Sequence, residues 1–411
     1  MSALLYLIIL LAPLPLGSNR PLPEALLASA SAIALIGWGW RGPYNLPLKA
    51  IAPITACFSA VLLWCGIELL WASDSSAALL ALMRLATYFA LFMLALQLGR
   101  NYRTTRHILK LTAFSAGFYA LYGLVVYALG NDHILWLEKW AYPDSLTGTF
   151  VNRNAFAAYA GMGLFACLAL LAHTIGREKG DMRMVFKSAS TTFWLAGIGA
   201  LALTLALVLT NSRAGILSVS IGMVVLWLCL YISSILPRRL LLGLGFIGLL
   251  LAAGAIYAVG PRLMQRAEGA SFMQDDRPQI WLATLQMIKA QPLTGFGPGS
   301  YEQMFLQYRT PEIKQNYTKA HSTYLQMAAE TGIPCTLVFV LGYGFIALFL
   351  LRGLHIRRQH KIYPALGLAV LTQAGAHSLV DFSFQTPANA ALLAVILGTC
   401  VAQSFSSEQN G

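Results

Sequence analysis

Charge is what this chain lacks. Only 11% of its 411 residues are Asp, Glu, Lys or Arg, and 57% are hydrophobic; a soluble globular protein carries about 25% charged residues. So little polar surface excludes a water-soluble domain. The six cysteines (Cys57, Cys65, Cys167, Cys229, Cys335 and Cys400) all fall in or beside apolar runs. None sits in a CxxC pair or a Cys/His cluster. Disulfide frameworks and zinc sites are therefore not expected, and the thiols read as small buried hydrophobes. Asp-x-Asp, the usual metal-holding pair, does not occur, nor does an internal repeat or a low-complexity tract. The first apolar run lacks a basic n-region and a small-x-small cleavage site. It reads as a retained span rather than a signal peptide.

What is present is a series of apolar runs of about 20 residues, the length that crosses a ~30 Å hydrocarbon core. Twelve spans are expected, near 2–16, 22–40, 50–71, 77–98, 108–129, 154–175, 191–210, 214–235, 240–260, 332–351, 362–380 and 388–405. The net charge of +12 then reads as a topology signal. With the N-terminus cytoplasmic, 16 basic residues lie in the inner loops or at their edges. The short outer loops hold 4: Arg20, Lys139, Arg153 and Arg213. Basic residues mark the cytoplasmic side, and long outer segments largely escape that rule. The expectation is an all-α polytopic membrane protein with both termini cytoplasmic, bathed in membrane lipids and without a nucleic-acid partner. Residues 1–260 hold nine spans, 261–331 form one elaborate outer loop, and 332–411 hold three spans and a short tail.

The loop has its own helical pattern. Asp275-Asp276-Arg277-Pro278 reads as a carboxylate-capped start with proline in the first turn. Ile280, Trp281, Leu285 and Ile288 recur at helical spacing. Pro292 and Gly295-Phe296-Gly297-Pro298-Gly299 end that helix, and Tyr301, Met304, Phe305 and Tyr308 mark a second. Both suit a membrane interface, where aromatic rings are favoured. A third helix is expected from His321 towards Glu330. The glycines hint at a phosphate cradle, but they follow no strand and read better as a tight turn.

Three arginines face the expected outer side. Arg213 stands in Asn211-Ser212-Arg213-Ala214-Gly215 between spans seven and eight. Arg277 opens the loop helix, where Asp275 or Asp276 is its simplest partner. Arg153 starts span six. Each has a bland reading, a snorkelling or surface charge. Together they make an electropositive site suited to phosphate oxygens. His321 lies at the end of the loop on the same face, and histidine is the side chain best matched to proton transfer near neutral pH. Asn154, Tyr324 and Asp381 complete the expected substrate-binding set with Arg153. Asp381 and His377, ending span eleven, either orient a catalytic base or cap the helix. Glu68 and Arg84, on neighbouring spans, read as a structural ion pair. A transporter would place its coupling residues near the membrane midplane, and ionisable residues are scarce there.

At these residues the chain resembles the O-antigen ligase and O-antigen polymerase family, bacterial inner-membrane glycosyltransferases with a large periplasmic loop before the third-last span. The family's Arg-x3-Leu appears as Arg213-Ala-Gly-Ile-Leu217. The ligase motif of His followed by Asn, Ser or Gln, nine residues and Gly appears as His321-Ser322 and Gly332. Cys335 stands where that motif ends in Gly, Thr or Tyr. Gly148-Thr-Phe-Val-Asn-Arg-Asn154 and His377-Ser-Leu-Val-Asp-Phe382 are similar to phrases in members from exopolysaccharide clusters.

The resemblance implies a GT-C-like fold and a glycan on undecaprenyl pyrophosphate as donor. The acceptor would be lipid A–core for a ligase or another lipid-linked glycan for a polymerase. Catalysis would fall to His321, Arg213 and Arg277 without a cofactor. Asp275 and Asp276 are the metal-binding alternative.

Overall fold

Short polar side chains write the helix starts in this chain. Asp74, Asn101, Asn152, Asp181, Ser212 and Ser322 each accept hydrogen bonds from backbone N–H groups of the turn that follows, satisfying donors a helix end leaves orphaned. The computed structural model describes residues 2–41, 48–243, 276–311, 313 and 315–405. Its helices are α1 (Ser2–Leu11), α2 (Pro21–Arg41), α3 (Leu48–Glu68), α4 (Ser75–Leu98), α5 (Tyr102–Ala128), α6 (Arg153–Arg177), α7 (Met182–Ser188), α8 (Thr191–Leu209) and α9 (Arg213–Ile232). After the loop's first residues come α10 (Arg277–Ala290), α11 (Tyr301–Tyr308), α12 (Thr323–Ile356), α13 (Ile362–Ser378) and α14 (Pro387–Ala402). The ninth expected span, 240–260, and the expected domain boundary at 261 lie outside the described residues from 244 onward.

Among the described residues, eight helices (α2 to α6, α8, α9 and α12) are long and apolar enough to cross a membrane. The protein is an all-α multi-pass membrane protein. Three expected spans are shorter than their apolar runs: α1 has 10 residues, α13 has 17 and α14 has 16. The last two are also deeply buried. α14 is buried along its whole length against α4, and α13 packs on α9, so these are core helices that the others surround. α6 is central as well. Its Ala155, Ala157, Ala158, Ala160 and Ala166 are all buried, and small side chains let α8, α5 and α13 approach closely.

Alternate connections meet at one end of the bundle, as the span order requires. There the α5–α6 connection bonds the α8–α9 joint, Leu146 N–H to Leu209 carbonyl at 2.9 Å and Asn211 Nδ2 to Asp144 carbonyl at 3.0 Å. Ser73 Oγ donates to the Phe296 carbonyl at 3.2 Å. The α5–α6 connection is a built element. A two-residue hairpin pairs His133 with Glu138 and Ile134 with Leu137. Lys139 Nζ donates to Asn131 Oδ1 and to the Ser145 carbonyl at 2.8 and 2.7 Å.

The loop after residue 276 folds on itself. Ile280, Met287, Tyr301, Met304, Phe305, Ala320 and Ala329 form a second core. Several rings expected to face a membrane interface instead face one another, because three short helices bring their i, i+3 and i+4 faces together. Asp276 sits at the cap position of α10, but its carboxylate makes no cap bond. It accepts the Tyr317 hydroxyl at 2.6 Å instead, tying the two ends of the loop. Pro278 occupies the first turn as expected.

The expected Glu68–Arg84 pair does not form. Arg84 on α4 pairs with Glu24 on α2, its Nη2 donating to Oε2 at 2.8 Å. Glu68 is buried with no hydrogen-bond partner among the described residues, on the side of α3 that meets Trp64, Cys65 and Cys335. Neighbouring spans in sequence do not imply facing side chains.

α12 joins the loop to the bundle through a break at Gly332, with φ 79° and ψ 163°. That region is open essentially to glycine alone. A Cβ at Gly332 would collide with the Leu293 carbonyl, and one at Gly295 with the Glu330 carbonyl. The glycine-rich turn is thus a latch on α12, with Gly297 N–H donating to the Glu330 carbonyl at 2.8 Å. Gly332→Ala should destabilise the protein by roughly 3 kcal/mol or more, seen as lost yield and a lower thermal midpoint in detergent. Gly344→Ala, where an added Cβ meets nothing within 4 Å, should match the parent. Equal stability of both variants would show that the break is not needed.

Candidate active site

Asp381 is the centre of the polar cluster at this end. The turn after α13 buries its side chain completely. Ser383 Oγ donates to Oδ1 at 2.6 Å, and Asn154 Nδ2 donates to Oδ2 at 2.7 Å. Two further groups reach Oδ2 from the loop: Arg277 Nη2 and His321 Nδ1, each at 3.7 Å. Burial works against the carboxylate's charge. His321, His377 and the Ser383 hydroxyl outweigh it and hold the carboxyl at about 2. Asp381 is therefore ionised near neutral pH. Asp381 is a carboxylate beside Arg277; Asp275 lies outside the described residues.

His321 has a left-handed backbone, φ 51°, a strained state that clusters at functional sites. Its ring sits edge-on to Phe382 and Tyr317, with centroids 5.1 and 5.9 Å away. Ser322 then caps α12, its Oγ accepting from Leu325 N–H at 3.4 Å. This gives the motif a physical reading. The histidine is presented by the turn, the next residue is a helix cap, and the glycine ten residues later is the break. The contact with Asp381 is beyond hydrogen-bond length, so it acts through charge. A carboxylate facing Nδ1 favours the Nδ1–H tautomer and leaves Nε2 to accept a proton.

Arg153 starts α6 directly after its cap, Asn152. Its guanidinium lies over the Tyr142 ring at 5.3 Å, and Nη1 donates to Ser145 Oγ at 3.4 Å. Burial pushes the Tyr142 phenol up, and the charges of Arg153, Asp381 and Arg277 all act on it. Arg213 begins α9 and is exposed. Its cap, Ser212, donates to Asn154 Oδ1 at 2.7 Å, so one amide separates the start of α9 from Asp381.

Asn154 itself is buried, with both amide atoms committed inside the protein. Tyr324 stands apart from Asp381. Its hydroxyl donates to the Gly375 carbonyl at 3.2 Å, and its ring lines a cavity of about 280 Å³ with Phe89, Phe339, Tyr343, Lys319 and Glu330. Thr323 and Gln385 also line this cavity, and Thr323 Oγ1 donates to the Asp381 carbonyl at 3.2 Å. The cavity and the carboxylate are thus neighbours. Tyr142, Ser145, Ser212 and Ser383 were not anticipated. Short hydroxyls carry no spacing signal, and only the Tyr142-Pro143 turn pair marked the α5–α6 connection.

A multi-pass helical membrane protein with a buried carboxylate, a histidine and arginines at one end defines a class of site suited to anionic substrates and proton transfer. Residues 198–340 match the O-antigen ligase family model, Wzy_C. That segment holds Arg213, Arg277, His321 and Gly332, and ends before Asp381. The exopolysaccharide production protein ExoQ of Rhizobium meliloti (strain 1021) is 25% identical over 201 residues, 46% of this chain and 43% of ExoQ. The match thus spans less than half of that relative. The two findings support the O-antigen ligase and polymerase family, as the two motifs implied.

Proposed function

We propose that this protein transfers a glycan from undecaprenyl pyrophosphate to an acceptor sugar hydroxyl at the periplasmic face of the bacterial inner membrane, with lipid A–core as acceptor. The reading is carried by His321, set between a buried carboxylate and an open face beside Arg277. Nε2 of His321 takes the acceptor's proton. The freed oxygen attacks the anomeric carbon, the bond to the pyrophosphate oxygen breaks, and the configuration inverts. Negative charge grows on the leaving pyrophosphate, where Arg213 and Arg277 stabilise it as fixed donors, with Arg153 at the sugar or phosphate edge. The cavity beside Tyr324, with its apolar walls, takes the start of the carrier's isoprenoid chain. The basic residues, 16 inner against 4 outer, support a periplasmic site and cytoplasmic termini.

Similarity to an exopolysaccharide production protein favours a second reading, a polymerase that joins lipid-linked units. Purified protein in lipid, given undecaprenyl-pyrophosphate-linked glycan extracted from producing cells, separates the two by acceptor. Lipid A–core should be extended, and excess chelator should not stop it, because arginines rather than an Asp-x-Asp metal neutralise the leaving group. Extension of the lipid-linked glycan alone would establish the polymerase. Activity restored only by magnesium or manganese would move the chemistry to Asp275 and Asp276.

A further inference from the structure

Asn154 joins Asp381 to the start of α9, and its two amide atoms do different things. Nδ2 donates to Asp381 Oδ2 at 2.7 Å, and Oδ1 accepts from Ser212 Oγ at 2.7 Å. Ser212 Oγ in turn accepts from Gly215 N–H at 3.0 Å, inside the first turn of α9. Asp381 Oδ1 takes Ser383 Oγ. Asn154, Ser212, Asp381 and Ser383 are all buried. Ser212 Oγ already accepts from a backbone N–H, and Asp381 is ionised. The hydroxyl must therefore donate to the amide, and the amide must donate to the carboxylate. The chain has one polarity, and an amide is the group that satisfies both neighbours at once.

We propose that Asn154 is a positioning residue. It aims the Asp381 carboxylate at His321 and sets the start of α9, and with it Arg213, relative to that carboxylate. This rests on the transferase reading above, in which Asp381 orients the base and Arg213 holds pyrophosphate. Asn154 would then touch no substrate. Its effect on the reaction runs through the charge and aim of Asp381.

An isosteric change tests this. Asn154→Asp keeps the acceptor for Ser212 but sets a second carboxylate at hydrogen-bond distance from Asp381. Two such groups cannot both ionise without large cost, so they share a proton. When the shared proton is present, it restores the missing donation. The other titratable or charged groups facing the pair are His321, His377, Arg277 and Tyr142. They are common to parent and variant, so a change in the ratio reports the added carboxylate together with its pull on these groups. Turnover of Asn154→Asp divided by that of the parent should therefore rise as pH falls from about 7.5 to about 5.5, by about 10-fold. The probe is the extracted undecaprenyl-pyrophosphate-linked glycan, with protein matched for yield and elution.

A ratio flat in pH would overturn the proposal. The swapped pair N154D/D381N keeps an amide facing a carboxylate but moves the charge away from His321. Its thermal midpoint should return towards the parent while its turnover stays at least 10-fold down. Parent-like turnover of the swap would show that the aim of Asp381 is irrelevant, and a midpoint that does not recover would show that the pair is not the link. Failure of the parent itself to transfer glycan would instead sink the transferase reading.

Discussion

His321→Ala should lower turnover by about 10²–10⁴, the usual cost of removing a general base, and leave donor binding nearly unchanged. The geometry predicts this split. The imidazole faces a carboxylate on Nδ1, and no hydrogen bond holds Nε2 among the described residues, so its proposed role is to move a proton. Nothing in that arrangement grips a pyrophosphate. The check is turnover at saturating donor, beside the affinity of the purified variant for undecaprenyl pyrophosphate, at parent-like yield. Lost affinity with undiminished saturated turnover would make His321 a binding residue and leave the base to be found elsewhere.

Arg213→Ala and Arg277→Ala should each cost about 10²–10³ in rate, the range seen when a donor to developing negative charge is removed. Lysine at either position should restore part of the loss, because it keeps the charge but not the planar fork. The two variants should differ in stability. Arg213 is exposed at the start of α9, so its removal should leave the thermal midpoint in place. Arg277 lies beside the buried Asp381, so Arg277→Ala also deprives a desolvated carboxylate of a cation and should lower the midpoint. Unchanged donor affinity and rate in both variants would place the pyrophosphate site elsewhere, with Arg153 the next candidate.

Most of the fold was legible because apolar run length is a strong signal. Run length could not tell that α13 and α14 are enclosed, since a helix surrounded by other helices is as apolar as one facing lipid. It did separate the loop helix ending near Glu330 from the span starting at 332, and the break at Gly332 falls at that boundary. In the site, Arg277, His321, Asp381 and Asn154 could be named beforehand because charged and amide groups are rare in so apolar a chain. Their pairing could not. Arg277 was matched to its chain neighbours, and Asp381, about a hundred residues away, was not foreseen beside it. Arg84 was matched to Glu68 for the same reason. Helical phase decides which side chains face each other, and neighbouring spans show only that two helices exist. Tyr142 and Ser145 were missed because a two-residue hairpin leaves no periodicity to read.

The bond between Asn154 and Asp381 joins residues 227 positions apart. Synthesis at roughly 5–20 residues per second separates their emergence from the ribosome by about 10–45 s. Over that interval α6 exists with an amide made to be buried and has α5, α8 and α9 to pack on, but neither Asp381 nor α13 and α14. An unpaired amide is costly in hydrocarbon. The newborn helix therefore gains from staying beside water or an insertase until the last pair of helices arrives. A nascent chain halted before residue 381 should remain associated with the insertion machinery, and the finished chain should leave it.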